Sequence, residues 1–226
     1  MLKTSDFIVL LMIVVLFLPF IIFETCFEFF ERATVNYPLI TSFLKFAVLA
    51  TLGEAIGLRI RTGYYNQKGF GILPRAVVWG FLGMSIYLAF VVFSKGVPAF
   101  LDTLHQGWGS FNKILTAFAI SATMNIIFAP IMMTFHKVTD THIINNNGLL
   151  SALVKPIPFG DILKGLDWET HWHFVLKKTI PLFWIPAHTI TFLLPTQFRV
   201  LFAAILGIVL GVILAFANKK PNQVTG

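Results

Sequence analysis

Few side chains in this sequence could do chemistry, and those that stand out do so by interrupting apolar runs. Glu54 sits in the stretch TLGEAIGLRI, where an ionised carboxylate is costly unless it is neutralised or partnered. Two readings stay open: a residue on a polar pathway, or half of a structural ion pair with Arg59, Arg61 or Arg75. Lys45 lies nine residues earlier, which at about 100° per residue places it on the opposite helix face. The two therefore do not pair within one helix, and the long stem of Lys45 lets its ammonium snorkel to the surface. Ser121 and Asn125 are four apart and share a face. They either line a polar route or tie helices together. His188 and Thr191 occupy a proline-bearing apolar stretch, where the imidazole can hydrogen-bond, or change charge near neutral pH if solvent reaches it. Arg199, just past Pro195, either draws anions to a mouth or caps carbonyls or pairs with an acidic residue such as Glu31.

None of this composes a catalytic set, and an enzyme is not expected. His171 and His173 flank Trp172 beside Glu169, and His136, Asp140 and His142 lie close in sequence. No HExxH pattern joins them, so they read as polar loop residues rather than metal ligands. No nucleophile elbow, phosphate loop or dinucleotide fingerprint occurs, and no metal or cofactor is implied. A single cysteine, Cys26, excludes an internal disulfide. The net charge of +7 comes without the dense basic clustering that nucleic-acid binding needs.

The elements that must position these residues are membrane helices. The chain is 57% hydrophobic and only 12% charged, with a mean hydropathy of +0.81, whereas soluble domains carry about 25% charged residues. These values predict an all-α, polytopic transmembrane helical bundle forming a single integral membrane domain over 1–226. Six segments are expected, at 7–23, 40–58, 76–93, 114–135, 180–194 and 200–217. A crossing takes about 20 residues. The fifth segment is short, and Pro181 and Pro186 predict a kink in it. The first reads as a retained helix because no small-x-small cleavage pattern follows it. The region 136–178 reads as an interfacial connector. Asn145, Asn146, Asn147 and Gly148 mark a turn in it, and Trp168, Trp172 and Phe174 lie near Lys177 and Lys178. Basic residues set the orientation. Lys3, Arg59, Arg61, Lys68, Arg75, Lys137, Lys155, Lys164, Lys177, Lys178, Lys219 and Lys220 fall on one side of a six-span layout. Only Arg32, Lys95, Lys113 and Arg199 fall on the other, so both termini are expected inside. Small residues mark packing faces: Gly53 with Gly57, and Ala203, Gly207, Gly211 and Ala215 at spacing four. The second face suits contact within the chain or between copies in a homo-oligomer, and the lipid bilayer is the other expected partner.

The stretch WIPAHTITFLLPTQFRV, Trp184 to Val200, resembles the carboxyl-terminal signature of the Mpv17/PMP22 family of organelle membrane proteins. Trp184 and Phe192 keep the family's spacing of eight, and Pro195 and Arg199 keep its spacing of four, one residue early. Pro186 follows one place after the family's first proline, His188 stands at its Gln, and Thr191 at its Asn. The resemblance continues upstream over 38–217, with 7–23 as an extra amino-terminal helix. It implies a channel or pore-like protein permitting passage of small solutes, with four membrane helices in the family core. A secondary transporter and a non-transporting structural or interaction protein are the alternatives. An amino terminus that begins directly with an apolar helix suits a bacterial relative in the plasma membrane, with an organelle membrane as the alternative.

Overall fold

The computed structural model describes residues 3–104 and 112–217; Lys219 and Lys220, counted in the charge asymmetry, lie outside the described residues. The protein is an all-α bundle with five helices long and apolar enough to cross a membrane, as a multi-span membrane protein requires. Its chain divides into two compact units, Met1–Thr41 and Ser42–Gly226.

The first unit holds α1 (Thr4–Ile22) and α2 (Glu24–Asn36). Lys3 opens α1, its backbone N–H donating to the Asp6 carboxylate at 2.7 Å. No residue of α1 is buried. Phe23 takes an extended conformation between the two helices, and the rings of Phe20 and Phe30 meet edge-on at 5.8 Å.

The second unit is built from α3 (Pro38–Thr62), α4 (Ile72–Leu104), α5 (Lys113–Asn145) and α9 (Thr196–Ala217), with shorter pieces between α5 and α9. Pro38 suits the first turn of α3 because its missing N–H would have had no helical partner there. The Asn112 side chain caps α5 by accepting from the Leu115 N–H at 2.8 Å, as an N-cap amide does. These helices outrun the expected apolar segments because hydropathy marks only the part that lipid requires, while helical hydrogen bonding continues into polar residues. The clearest correction follows from this. The connector expected over 136–178 loses its first ten residues to α5, so His136, Asp140 and His142 are helical, not loop, residues.

The turn marked by the asparagines ends α5. Asn147 has φ 57° and Gly148 φ 68°. Gly148 packs against Gly71 (φ 73°) so closely that a Cβ on Gly71 would stand 2.8 Å from the Gly148 Cα. Glycine is required there by conformation and by space. A 3₁₀ turn (Leu150–Val154) follows, held to α5 by His142 Nε2 against the Ala152 carbonyl at 3.0 Å. After α6 (Phe159–Lys164), Asp167 caps the next helix. Hydrogen bonds from Thr170 hold the Asp167 carboxyl below its ordinary value, and Lys137 adds to the effect.

The expected proline-bearing segment is part of a longer helical stretch. Helix runs unbroken through α7 (Trp168–Thr170), a π-helical piece (His171–Trp184) and α8 (Ile185–Leu193). The wider π turn gives Pro181 room where an α-helix would clash with a preceding carbonyl. Thr179 Oγ1 accordingly donates to the Phe174 carbonyl five residues back, at 3.0 Å. The chain breaks at Leu194, which is extended (ψ 155°), because the following Pro195 disfavours helix at the residue before it.

Both predicted small-residue faces meet within the chain. Gly53 lies against the backbone of Ile208, Gly57 against the Gly211 carbonyl, and Ala215 beside Gly57. Ala203, Ala204 and Ala215 are buried. A Cβ on Gly57 would sit 3.5 Å from the Gly211 oxygen, an ordinary contact. Gly57→Ala is therefore expected to leave the thermal unfolding midpoint nearly unchanged, with the gain in helix propensity, roughly 1 kcal/mol, offsetting the small adjustment. A loss of several degrees would show a tighter interface than this.

Candidate functional site

Glu54 projects from α3 toward Arg75 and Trp79 of α4 and His136 and Asp140 of α5. One carboxylate oxygen accepts from Arg75 Nη1 at 2.5 Å. The other meets Trp79 Nε1 at 3.0 Å and His136 Nε2 at 3.0 Å. Arg75 Nη1 also forms an ion pair with Asp140 Oδ1. The Arg75 Nε donates to the Phe70 carbonyl at 2.6 Å, and its guanidinium lies over the Phe70 ring at 4.4 Å. Arg75 is only 6% exposed. A buried cation shared by two carboxylates is stable only because every partner is in place. Of the partners proposed for Glu54, the structure selects Arg75 and adds His136 and Trp79, while Asp140 joins the cluster through Arg75.

The spacing that builds this cluster is helical. Arg75 and Trp79 are four apart on α4, and His136 and Asp140 are four apart on α5, so each pair presents one face to α3. The His136–Asp140 spacing was visible in the sequence. What hid its meaning was their expected place in a loop.

The cluster lines a cavity of about 560 Å³ within the second unit. At one end the wall includes Arg61, Gln67, Lys68 and Lys137, all exposed, so the cavity reaches the surface there. Below them come Glu54, Arg75, His136 and Asp140. The inner part is mostly apolar, with Phe128, Met132 and Met133, and it ends around Phe90, Asn125, Trp184 and His188. His171, held to Thr134 Oγ1 at 3.0 Å, also contributes.

At the inner end Asn125 and His188 are both buried. The Asn125 amide nitrogen donates to the Ser121 carbonyl at 2.8 Å and lies 3.0 Å from His188 Nδ1. His188 stacks on Trp184 at 5.1 Å and meets Phe90 edge-on at 5.6 Å. Its Nε2 makes no hydrogen bond among the described residues. Trp184 Nε1 is buried without a partner, a deficit that costs about 1–3 kcal/mol.

The remaining candidates serve packing. Ser121 Oγ donates to the Ile185 carbonyl at 2.7 Å, tying α5 to the start of α8. Thr191 Oγ1 donates to the Ala187 carbonyl at 3.0 Å in its own helix. Arg199 turns back over the α8–α9 break. Its Nε donates to the Leu194 carbonyl at 3.0 Å and its Nη2 to the Phe192 carbonyl at 3.1 Å, with the guanidinium 5.5 Å from the Phe192 ring. These carbonyls are among those a helix end leaves without partners. Of the residues considered for a pathway, Glu54, Asn125 and His188 line the cavity, whereas Ser121, Thr191 and Arg199 do not. Gly53, Gly57, Ala203, Gly207 and Gly211 form part of its wall, and of these Gly53, Gly57 and Gly211 also lie in the packing seam, whereas Gly207 faces open space. Within the stretch that resembles the family signature, Trp184 and His188 face the cavity, Arg199 and Pro195 shape the turn, and Phe192 packs on Phe90 at 5.1 Å. The chain matches no family model, no curated protein and no solved structure, so its reading rests on this geometry: a multi-span membrane bundle enclosing a cavity with a basic mouth and a charge-paired wall.

Proposed function

We propose that this chain is a small-solute permeation protein, entered through the basic mouth of its cavity. The observation that carries the reading is the cavity itself, about 560 Å³, a volume within the range of small-molecule sites. Its wall on α5 runs from Met124 to Ile144, about 30 Å of helix at 1.5 Å per residue. None of residues 113–123 lines it, so on this reading a solute passes Asn125 only with a gating movement. That requirement also favours the alternating access of a secondary transporter, which would give saturable, gradient-driven uptake where a gated pore would not. The basic mouth faces inward under the positive-inside rule. A bacterial plasma membrane fits this layout, with an organelle membrane as the alternative. The likeness of Trp184–Arg199 to the Mpv17/PMP22 signature adds to the same reading.

The test is flux in reconstituted liposomes, across ions, sugars, nucleotides and amphipathic acids. Protein-bearing vesicles are expected to release at least one class faster than empty vesicles; equal rates for all classes would overturn permeation. Glu54→Gln leaves Trp79 and His136 hydrogen-bonding partners but removes the charge that Arg75 meets. It is expected to change the flux several-fold while the protein stays folded. Unchanged flux from a folded variant would remove Glu54 from the pathway.

A further inference from the structure

The order of polarity along the cavity points to a class of solute. We infer that it takes an amphipathic acid, a molecule with one anionic head group and an apolar body; this deepens the permeation reading and rests on it. At the mouth stand Arg61, Lys68 and Lys137, and none of the three forms an ion pair among the described residues. Cations at an opening attract an anion and repel an alkylammonium.

The next layer holds Glu54 and Asp140, which Arg75 bridges and which Trp79 and His136 further satisfy at Glu54. Two carboxylates share one guanidinium there, so this layer holds no spare guanidinium charge for an anionic head and leaves it at the mouth. Beyond it Met132, Met133 and Phe128 form an apolar wall, and no Asp, Glu, Lys or Arg lines the inner end around Phe90, Asn125 and His188. An inorganic ion or a sugar would lose its hydration there without replacement, whereas an alkyl or aryl body is favoured. The sulfur-bearing side chains adapt to bodies of different outline.

A fatty carboxylate and a lysophospholipid phosphate share this chemistry, and the experiment separates them. Thermal unfolding of the purified full chain in maltoside detergent is followed with equal concentrations of laurate, dodecylammonium, dodecanol and lauroyl lysophosphatidate. Laurate or the lysophosphatidate is expected to raise the midpoint by several degrees beyond dodecanol, and dodecylammonium to give no such excess. The larger shift of the two acids identifies the source, a free acid or a lipid. Lys68→Glu combined with Lys137→Glu changes only exposed positions and is expected to abolish the excess. Met132→Trp, which fills the apolar section, is expected to abolish it too. Equal shifts for all four head groups, or an undiminished excess in the charge-reversed protein, would overturn the inference. Binding without flux would instead overturn permeation and leave the solute class standing, and flux without preference for acids would do the reverse.

Discussion

Arg75→Ala is expected to be the most damaging single substitution in the second unit, lowering stability by about 3–5 kcal/mol, the usual result of breaking a buried ion pair from one side. Arg75 bridges Glu54 and Asp140, and it also holds the Phe70 carbonyl. Its loss leaves the Glu54 and Asp140 carboxylates without the guanidinium they share, with Trp79 and His136 still on Glu54. Arg75→Lys keeps the charge but supplies a single ammonium where Nε and Nη1 now serve separate partners, and an intermediate loss is expected. The informative variant removes all three charges together, Arg75→Met with Glu54→Gln and Asp140→Asn. It is expected to recover much of the stability lost by Arg75→Ala, because the cost of the single change lies in uncompensated burial rather than in lost attraction. Denaturant or thermal unfolding in detergent measures each step. An Arg75→Ala protein within about 1 kcal/mol of the parent would mean that water already solvates the cluster.

Gly53→Val is expected to rank second. A Cβ at position 53 would lie 2.9 Å from the Cα of Ile208 and 3.2 Å from its Cγ1. The first of these is backbone, so relief requires α9 to move away from α3. Overpacking of this kind costs about 1–3 kcal/mol. The movement would also displace Gly207 and Gly211, which line the cavity, so altered flux is expected alongside the lower unfolding midpoint. Gly57→Ala, one turn away, is the matched control. Equal behaviour of Gly53→Val and Gly57→Ala would show that the seam is looser than the backbone approach implies.

The two cases show how sequence and structure divided the work. Composition alone determined the solvent: with 12% charged residues, the backbone can be satisfied across a bilayer only by helices or closed barrels, and long apolar runs select helices. The same sparsity made Glu54 conspicuous, since a lone carboxylate in such a run demands a partner, and the spacing of Gly53, Gly57, Gly211 and Ala215 announced a close helix contact. Each of these follows from short-range rules. Which partner Glu54 takes does not. Arg59 and Arg61 are nearer in sequence than Arg75, yet only Arg75 is carried to it by the packing of α4 on α3. Nor does spacing say that the glycine seam closes within one chain.

The π-helical run through Pro181 was likewise decided by the fold. Proline forbids the α hydrogen bond locally, but whether the chain then kinks or widens depends on what packs around it, here α5 tied through Ser121 to Ile185. The placement of His136 and Asp140 reversed a local reading for the same reason: polar composition marks the edge of the lipid, not the end of a helix. Arg199 shows the converse, a charge that invited a functional role until the break before Pro195 supplied carbonyls for it to hold. The sequence by itself therefore determined a membrane bundle with a few expensive polar residues. Only the tertiary structure decided which of them meet, because buried charges are settled by partners distant in the chain, and chain distance carries no record of them.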